Sequence, residues 1–186
     1  MALNKSRINL VFAFIVAGLG LTAGASLYLN RSQPEIQAAP ESNPSTDAAN
    51  RLAALEQMSA KDPNNAEYLT QIANAYYDLG QYDKAADVYQ KSLDVRPQDP
   101  NVETDLATCF HYLGQHDKAL QTLDKVLAYS PNFPQAMFNK GIVLVNGRKD
   151  IKAGIAVWED LLRSDPGFPK RAEIEQRINQ LKASAR

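Results

Sequence analysis

A chain of 186 residues holds one domain of ordinary size plus a short extra segment. Lys and Arg number 20 against 21 Asp and Glu, so there is no overall basic field to hold nucleic acid, and DNA or RNA is not expected as a partner. The single cysteine, Cys109, excludes an intrachain disulfide.

Residues 1–7 carry Lys5 and Arg7 and form a short amino-terminal segment. The uncharged run Ile8–Leu29 follows, and its 22 residues exceed the roughly 20 that cross the hydrocarbon core as a helix. We expect a transmembrane anchor at 8–29. A cleaved signal peptide is the competing reading, because Ala23-Gly24-Ala25 has the small-x-small form of a cleavage site. Leu27, Tyr28 and Leu29 carry the apolar run past that site, which favours retention. Two basic side chains precede the run and Arg31 follows it, so residues 1–7 are expected in the cytoplasm and the rest in the periplasm or outside the cell. Gly20 and Gly24 form a GxxxG pair that can bring two spans together. Residues 30–50 are rich in Ser, Asn, Gln and Ala, with Pro34, Pro40 and Pro44. They read as a disordered linker with an end-to-end distance of about 25 Å.

The remainder repeats. Pro63, Pro97 and Pro131 stand 34 residues apart, and Pro166 follows 35 after the last. The stretch Asp78–Ala86 aligns without gaps on Tyr112–Leu120. Units counted from Ala66, Pro100 and Pro134 place bulky apolar residues at positions 4, 7 and 11 and small ones at 8 and 20. In the first unit these are Leu69, Ile72, Tyr76, Ala73 and Ala85, with Tyr89 at position 24. The second unit departs with Glu103 at position 4, and the third with Lys140 at position 7. Counting back from Pro166 restores Gly154, Trp158 and Leu161, so the extra residue is expected in the turn near Gly147. Positions 4, 7, 8 and 11 share one helical face. Gly80 and Gly114 stand where a left-handed residue ends a helix.

This 34-residue pattern resembles the tetratricopeptide repeat (TPR) family, whose unit is a pair of antiparallel helices. The resemblance implies an all-α superhelix of about eight helices. It divides into a half-repeat helix (51–65), TPR 1 (66–99), TPR 2 (100–133), TPR 3 (134–168) and a capping helix (169–186). A narrower resemblance joins the apolar span to Asp62-Pro63-Asn64, Asn101–Ala107, Val157–Leu162 and Glu173–Ile178. These strings look like bacterial membrane-anchored TPR subunits of cytochrome c maturation, which implies holding an apocytochrome or a haem-attachment partner.

Charge is uneven along the repeats. Arg51 to Pro131 holds 7 basic and 12 acidic residues, and Asn132 to Arg186 holds 10 basic and 6 acidic. The two ends should therefore present opposite potentials to a partner.

Catalytic and cofactor motifs are missing. There is no C-x-x-C, H-E-x-x-H, P-loop or dinucleotide fingerprint, so no enzyme activity, cofactor or metal is expected. His111 and His116 are five apart and do not share a helical face. Cys109 and Trp158 fall at packing positions and read as core.

In TPR arrays the second face of helix A lines a concave groove. The resemblance places Glu67, Thr70, Asn74, Tyr77 and Asp78 there in the first unit. The second unit contributes Asn101, Thr104, Thr108, His111 and Tyr112, and the third Gln135, Phe138, Ile142 and Val145, with Asn146 beside them. Alternatively, the carboxy-terminal helix or another chain covers Phe138, Ile142 and Val145. Some TPR domains clamp a peptide's terminal carboxylate with Lys and Asn. Here only Asn74 fits, while Thr70, Asp105, Gln135 and Asn139 depart, so that mode is not expected. The expected function is a membrane-anchored adaptor binding a protein or peptide partner. The accessory role in cytochrome c maturation and self-association are its rivals.

Overall fold

In a computed structural model the chain is described over residues 44–184, with side chains from residue 49. The expected span at 8–29 and linker residues up to 43 lie outside the described residues. Among the described residues, no helix is long and apolar enough to cross a membrane.

The described residues form eight α-helices and no strand. They are α1 (Pro44–Ser59), α2 (Ala66–Asp78), α3 (Tyr82–Val95), α4 (Pro100–Tyr112), α5 (His116–Tyr129), α6 (Pro134–Ile142), α7 (Ile151–Ser164) and α8 (Arg171–Ser184). The first helix begins at Pro44, within the stretch read from sequence as linker. Each helix packs on the next, and α4 also touches α6, so the first helices of the second and third units lie side by side.

Local chemistry sets the boundaries. Asn65 and Asp99 accept two backbone N–H bonds each at the starts of α2 and α4, and Asp150 accepts one from Ala153 in α7. Pro100 and Pro134 occupy first-turn positions, where a missing N–H costs nothing. Gly80 and Gly114 take φ of 71° and 73°. Each lets the next residue's N–H reach back, Gln81 to the Tyr76 carbonyl at 2.9 Å and Gln115 to that of Phe110 at 2.8 Å.

The extra residue of the third unit lies where the spacing placed it. Val143–Gly147 winds as one π-helical turn, with Arg148 N–H donating to the Val143 carbonyl at 2.9 Å. The chain then reverses at Lys149, whose φ of 60° is the counterpart of Gly80 and Gly114.

Three apolar clusters run through the stack, each shared between successive helices. Ala73, Ala85, Tyr89, Val102 and Leu106 fill the first. Ala107, Ala119, Leu123, Val126 and Ala136 fill the second. Met137, Trp158, Leu161, Ile174 and Ile178 fill the third, which α8 closes. Gly141 is required in this last cluster, because a Cβ there would stand 2.1 Å from Trp158 Nε1. The indole N–H donates to the Phe138 carbonyl at 3.0 Å. Glu103, the departure at position 4, is fully buried. Its carboxylate accepts from Lys125 at 2.9 Å and from the Tyr129 hydroxyl at 3.2 Å, so a paired charge replaces the usual apolar contact.

Candidate functional site

Three recesses follow one another along the inner side of the stack. The central one has a volume of about 440 Å³. Its walls are Tyr77 from α2, Asp105, Thr108, His111 and Tyr112 from α4, Phe138, Asn139 and Ile142 from α6, and Lys170 before α8. A smaller recess of about 270 Å³ shares Tyr77 and Asp105 with it and adds Arg51, Asn74, Asp78 and Tyr89. A third of about 380 Å³ lies between α6 and α8, lined by Phe138, Ile142, Asn146, Glu173 and Arg177 among others.

The residues expected in the groove divide. Asn74, Tyr77, Asp78, Thr108, His111, Tyr112, Phe138 and Ile142 line these recesses, as does Asn146. Glu67, Asn101 and Gln135 are exposed near helix starts and line none of the three. Thr70 is half-buried and pairs with the Ser92 hydroxyl at 2.8 Å, a tie between α2 and α3.

Two positions are corrected. Thr104 is 2% exposed, with its hydroxyl donated to the Pro100 carbonyl. The first two turns of α4 are buried on nearly every side, since α3, α5 and α6 all pack against this helix. Val145 is 4% exposed and belongs to the third cluster. It lies in the π turn, which advances the register by one and puts Val145 at the position that the half-buried Tyr76 and Phe110 hold in the regular units. The helix packed on this turn is α7, whose Gly154 lies against the Val145 side chain. Phe138 and Ile142 stay half-buried, with Phe138 against Phe168 and Lys170 Nζ 4.7 Å from the Phe138 ring centre.

Aromatic rings build one wall of the central cleft. Tyr82 and Tyr112 stack at 4.5 Å, and Tyr77 meets both edge-on, at 5.3 Å and 6.0 Å. Tyr112 remains 55% exposed. His111 and His116 belong to different helices and meet across the turn, Nδ1 to Nδ1 at 3.2 Å, a contact their spacing on one helix did not suggest. Burial, then the neighbouring imidazole, lowers the His111 pKa. Among the described residues no group of three or more His, Cys, Asp or Glu is placed to hold a metal ion.

Asp105, Asn139 and Lys170 line the cleft and were not expected there. Asn139 donates to the Thr108 hydroxyl at 3.0 Å, which joins α6 to α4. Asp105 is pushed up to about 6, by burial first and by the Asp99 carboxylate second. Its one visible signal in the sequence is that it departs from the Lys and Asn of a carboxylate clamp. Cys109, one turn on, is fully buried and pushed up to about 12 by burial, then by Asp105, so it is an unreactive packing thiol.

The profile described as "Tetratricopeptide repeat" matches residues 45–104 and 78–138. No curated protein sequence matches the chain at a significant level. Solved structures share the fold. MamA (residues 41 to the end) from Desulfovibrio magneticus RS-1 is 23% identical over 74% of this chain and 86% of that one, with a TM-score of 0.59. The first TPR domain of human RPAP3 is 24% identical over 66% and 95%, also at 0.59. The first TPR of Spaghetti (RPAP3), bound to the HSP90 peptide SRMEEVD, is 21% identical over 64% and 92%, at 0.58. Over half its length the profile accounts for the chain and the helix pairs carry it further, so this protein belongs to the tetratricopeptide repeat family.

Proposed function

We propose that the chain is a membrane-anchored, non-catalytic adaptor that holds a peptide segment of a partner protein in the inner cleft, outside the cytoplasm. One observation carries this reading. The cleft of about 440 Å³ is open, and a large aromatic side chain, Tyr112, stands 55% exposed on its wall. Exposed aromatics beside a concave surface are the usual anchors of an interface. The cleft is polar toward α2 and apolar toward α6, which suits a segment with one polar and one greasy end. A structure of similar fold has been seen with a bound peptide, which supports the same mode here. The anchor rests on the apolar run at 8–29, and the side of the membrane on the basic residues that flank it.

The test is site-specific photocrosslinking in cells. A photoreactive side chain at position 112 should trap a protein partner, and the same group at Gln90, on the outer side of α3, should not. Crosslinks from position 90 alone would overturn the reading. The accessory role in cytochrome c maturation remains a second reading, favoured by the strings named above. It requires the trapped partner to be an apocytochrome or a haem-attachment protein.

A further inference from the structure

The recess between α2 and α4 holds a charge that nothing answers. Asp105 lines both the central cleft and the smaller recess beside it. Among the described residues its carboxylate makes no ion pair and no side-chain hydrogen bond, although it is mostly shielded from water. The fully buried Glu103 is by contrast held by Lys125 and Tyr129. Burying an unpaired carboxylate is costly, and such groups are normally matched by a cation or a donor.

The surroundings fit a cation. Tyr77 lines both recesses with Asp105, Tyr112 lines the central cleft and Tyr89 the smaller recess. The face of an aromatic ring attracts a guanidinium or ammonium group, most strongly where water is excluded. The Tyr89 hydroxyl donates to Asn74 Oδ1 and not to Asp105. The charged and titratable groups around Asp105 are Arg51 from α1, Tyr77 and Asp78 from α2, Tyr89 from α3, Asp99 at the start of α4, Cys109, His111 and Tyr112 from α4, and Lys170 across the cleft. Arg51 lies at the rim and is not paired with Asp105.

We propose that the Asp105 recess binds a lysine or arginine side chain of the peptide held in the cleft. This deepens the adaptor reading and rests on it. The carboxylate supplies a charge-assisted hydrogen bond, most favourably bidentate to arginine, and the tyrosines supply the walls. The site thus selects for positive charge at the α2–α4 end of the cleft. Lys170, at the other end, leaves no demand for a second basic residue there.

The probe is a random twelve-residue peptide library displayed on phage, selected on the full chain purified in detergent. Four proteins are compared: the parent, Asp105→Asn, Asp105→Lys and Tyr112→Ala. Asn keeps the shape of the side chain, and thermal melting of each variant confirms that it is folded. The parent should enrich peptides with Lys or Arg at one fixed position. Asp105→Asn should lose that enrichment and weaken the selected peptides at least tenfold, and Asp105→Lys should turn the preference to Asp or Glu. Selected peptides with no basic position, yet weakened by Tyr112→Ala, would overturn the cation assignment and leave the cleft standing. Peptides indifferent to both Asp105 and Tyr112 would overturn both readings.

Discussion

A carboxylate kept for binding should cost the fold something, and Asp105 gives a direct measure of that cost. Its native pKa is raised from 3.8 to about 6, first by burial. The unfolded chain releases this proton near 3.8 and the native state near 6, so between those values the native state holds more protons. Stability therefore falls as pH rises through this window, and the loss is complete above it. Each tenfold change in proton affinity is about 1.4 kcal/mol, which caps the cost near 3 kcal/mol. Partial access of Asp105 to the open cleft lowers this to roughly 1–2 kcal/mol. Asp105→Asn cannot ionise, so it should be more stable than the parent by that amount at pH 7.5. The gain should shrink to nearly nothing at about pH 3, where Asp105 is protonated in both the native and the unfolded chain. Urea unfolding of the compact unit Ser42–Arg186, followed by circular dichroism at both pH values, measures the difference and cancels the other carboxylates. A variant no more stable than the parent at pH 7.5, or equally stabilised at both pH values, would refute the reasoning.

Other outcomes follow from the same structure. The full-length protein should stay in the membrane pellet through high salt and alkaline washing, whereas a soluble form beginning near Ser26 would show cleavage instead. Ala85→Leu and Ala119→Leu should each cost roughly 1–3 kcal/mol, because both alanines are fully buried between helices; unfolding midpoints within about half a kcal/mol of the parent would contradict the packing. Lys149→Gly should stabilise the domain by roughly 0.5–1 kcal/mol, since a left-handed lysine at φ 60° is strained and glycine is not. Loss of stability in that variant would mean that the Lys149 side chain holds the turn.

The repeat spacing made the helix pairs legible, because a 34-residue period leaves one way to bury its small and bulky positions. Glycine in place of a larger residue told where α2 and α4 end. The site was less legible. A repeat register treats every first helix as regular, and it cannot foresee that the extra residue of the third unit becomes a π turn that rolls Val145 into the core. Nor does it carry the burial of Thr104, which depends on how tightly three neighbours close on α4. Asp105 was visible only as a misfit to a carboxylate clamp. Its place between two recesses arises from the packing of α2 against α3 and of α3 against α4, which no single segment encodes.

The central claim is that partners bind the inner cleft, and one affinity comparison tests it most directly. A partner trapped from position 112 is titrated calorimetrically against the parent, the pair Tyr77→Ala with Tyr112→Ala, and Gln90→Ala. Gln90 is exposed and bonded only to Asp94 among the described residues, so its loss should leave the affinity unchanged. Truncating two aromatic anchors should cost about 2 kcal/mol or more, at least a tenfold weakening, with the helical circular dichroism intact. A partner that binds the tyrosine variant as tightly as the parent, and loses its affinity for Gln90→Ala, would place recognition on the outer surface and contradict the account.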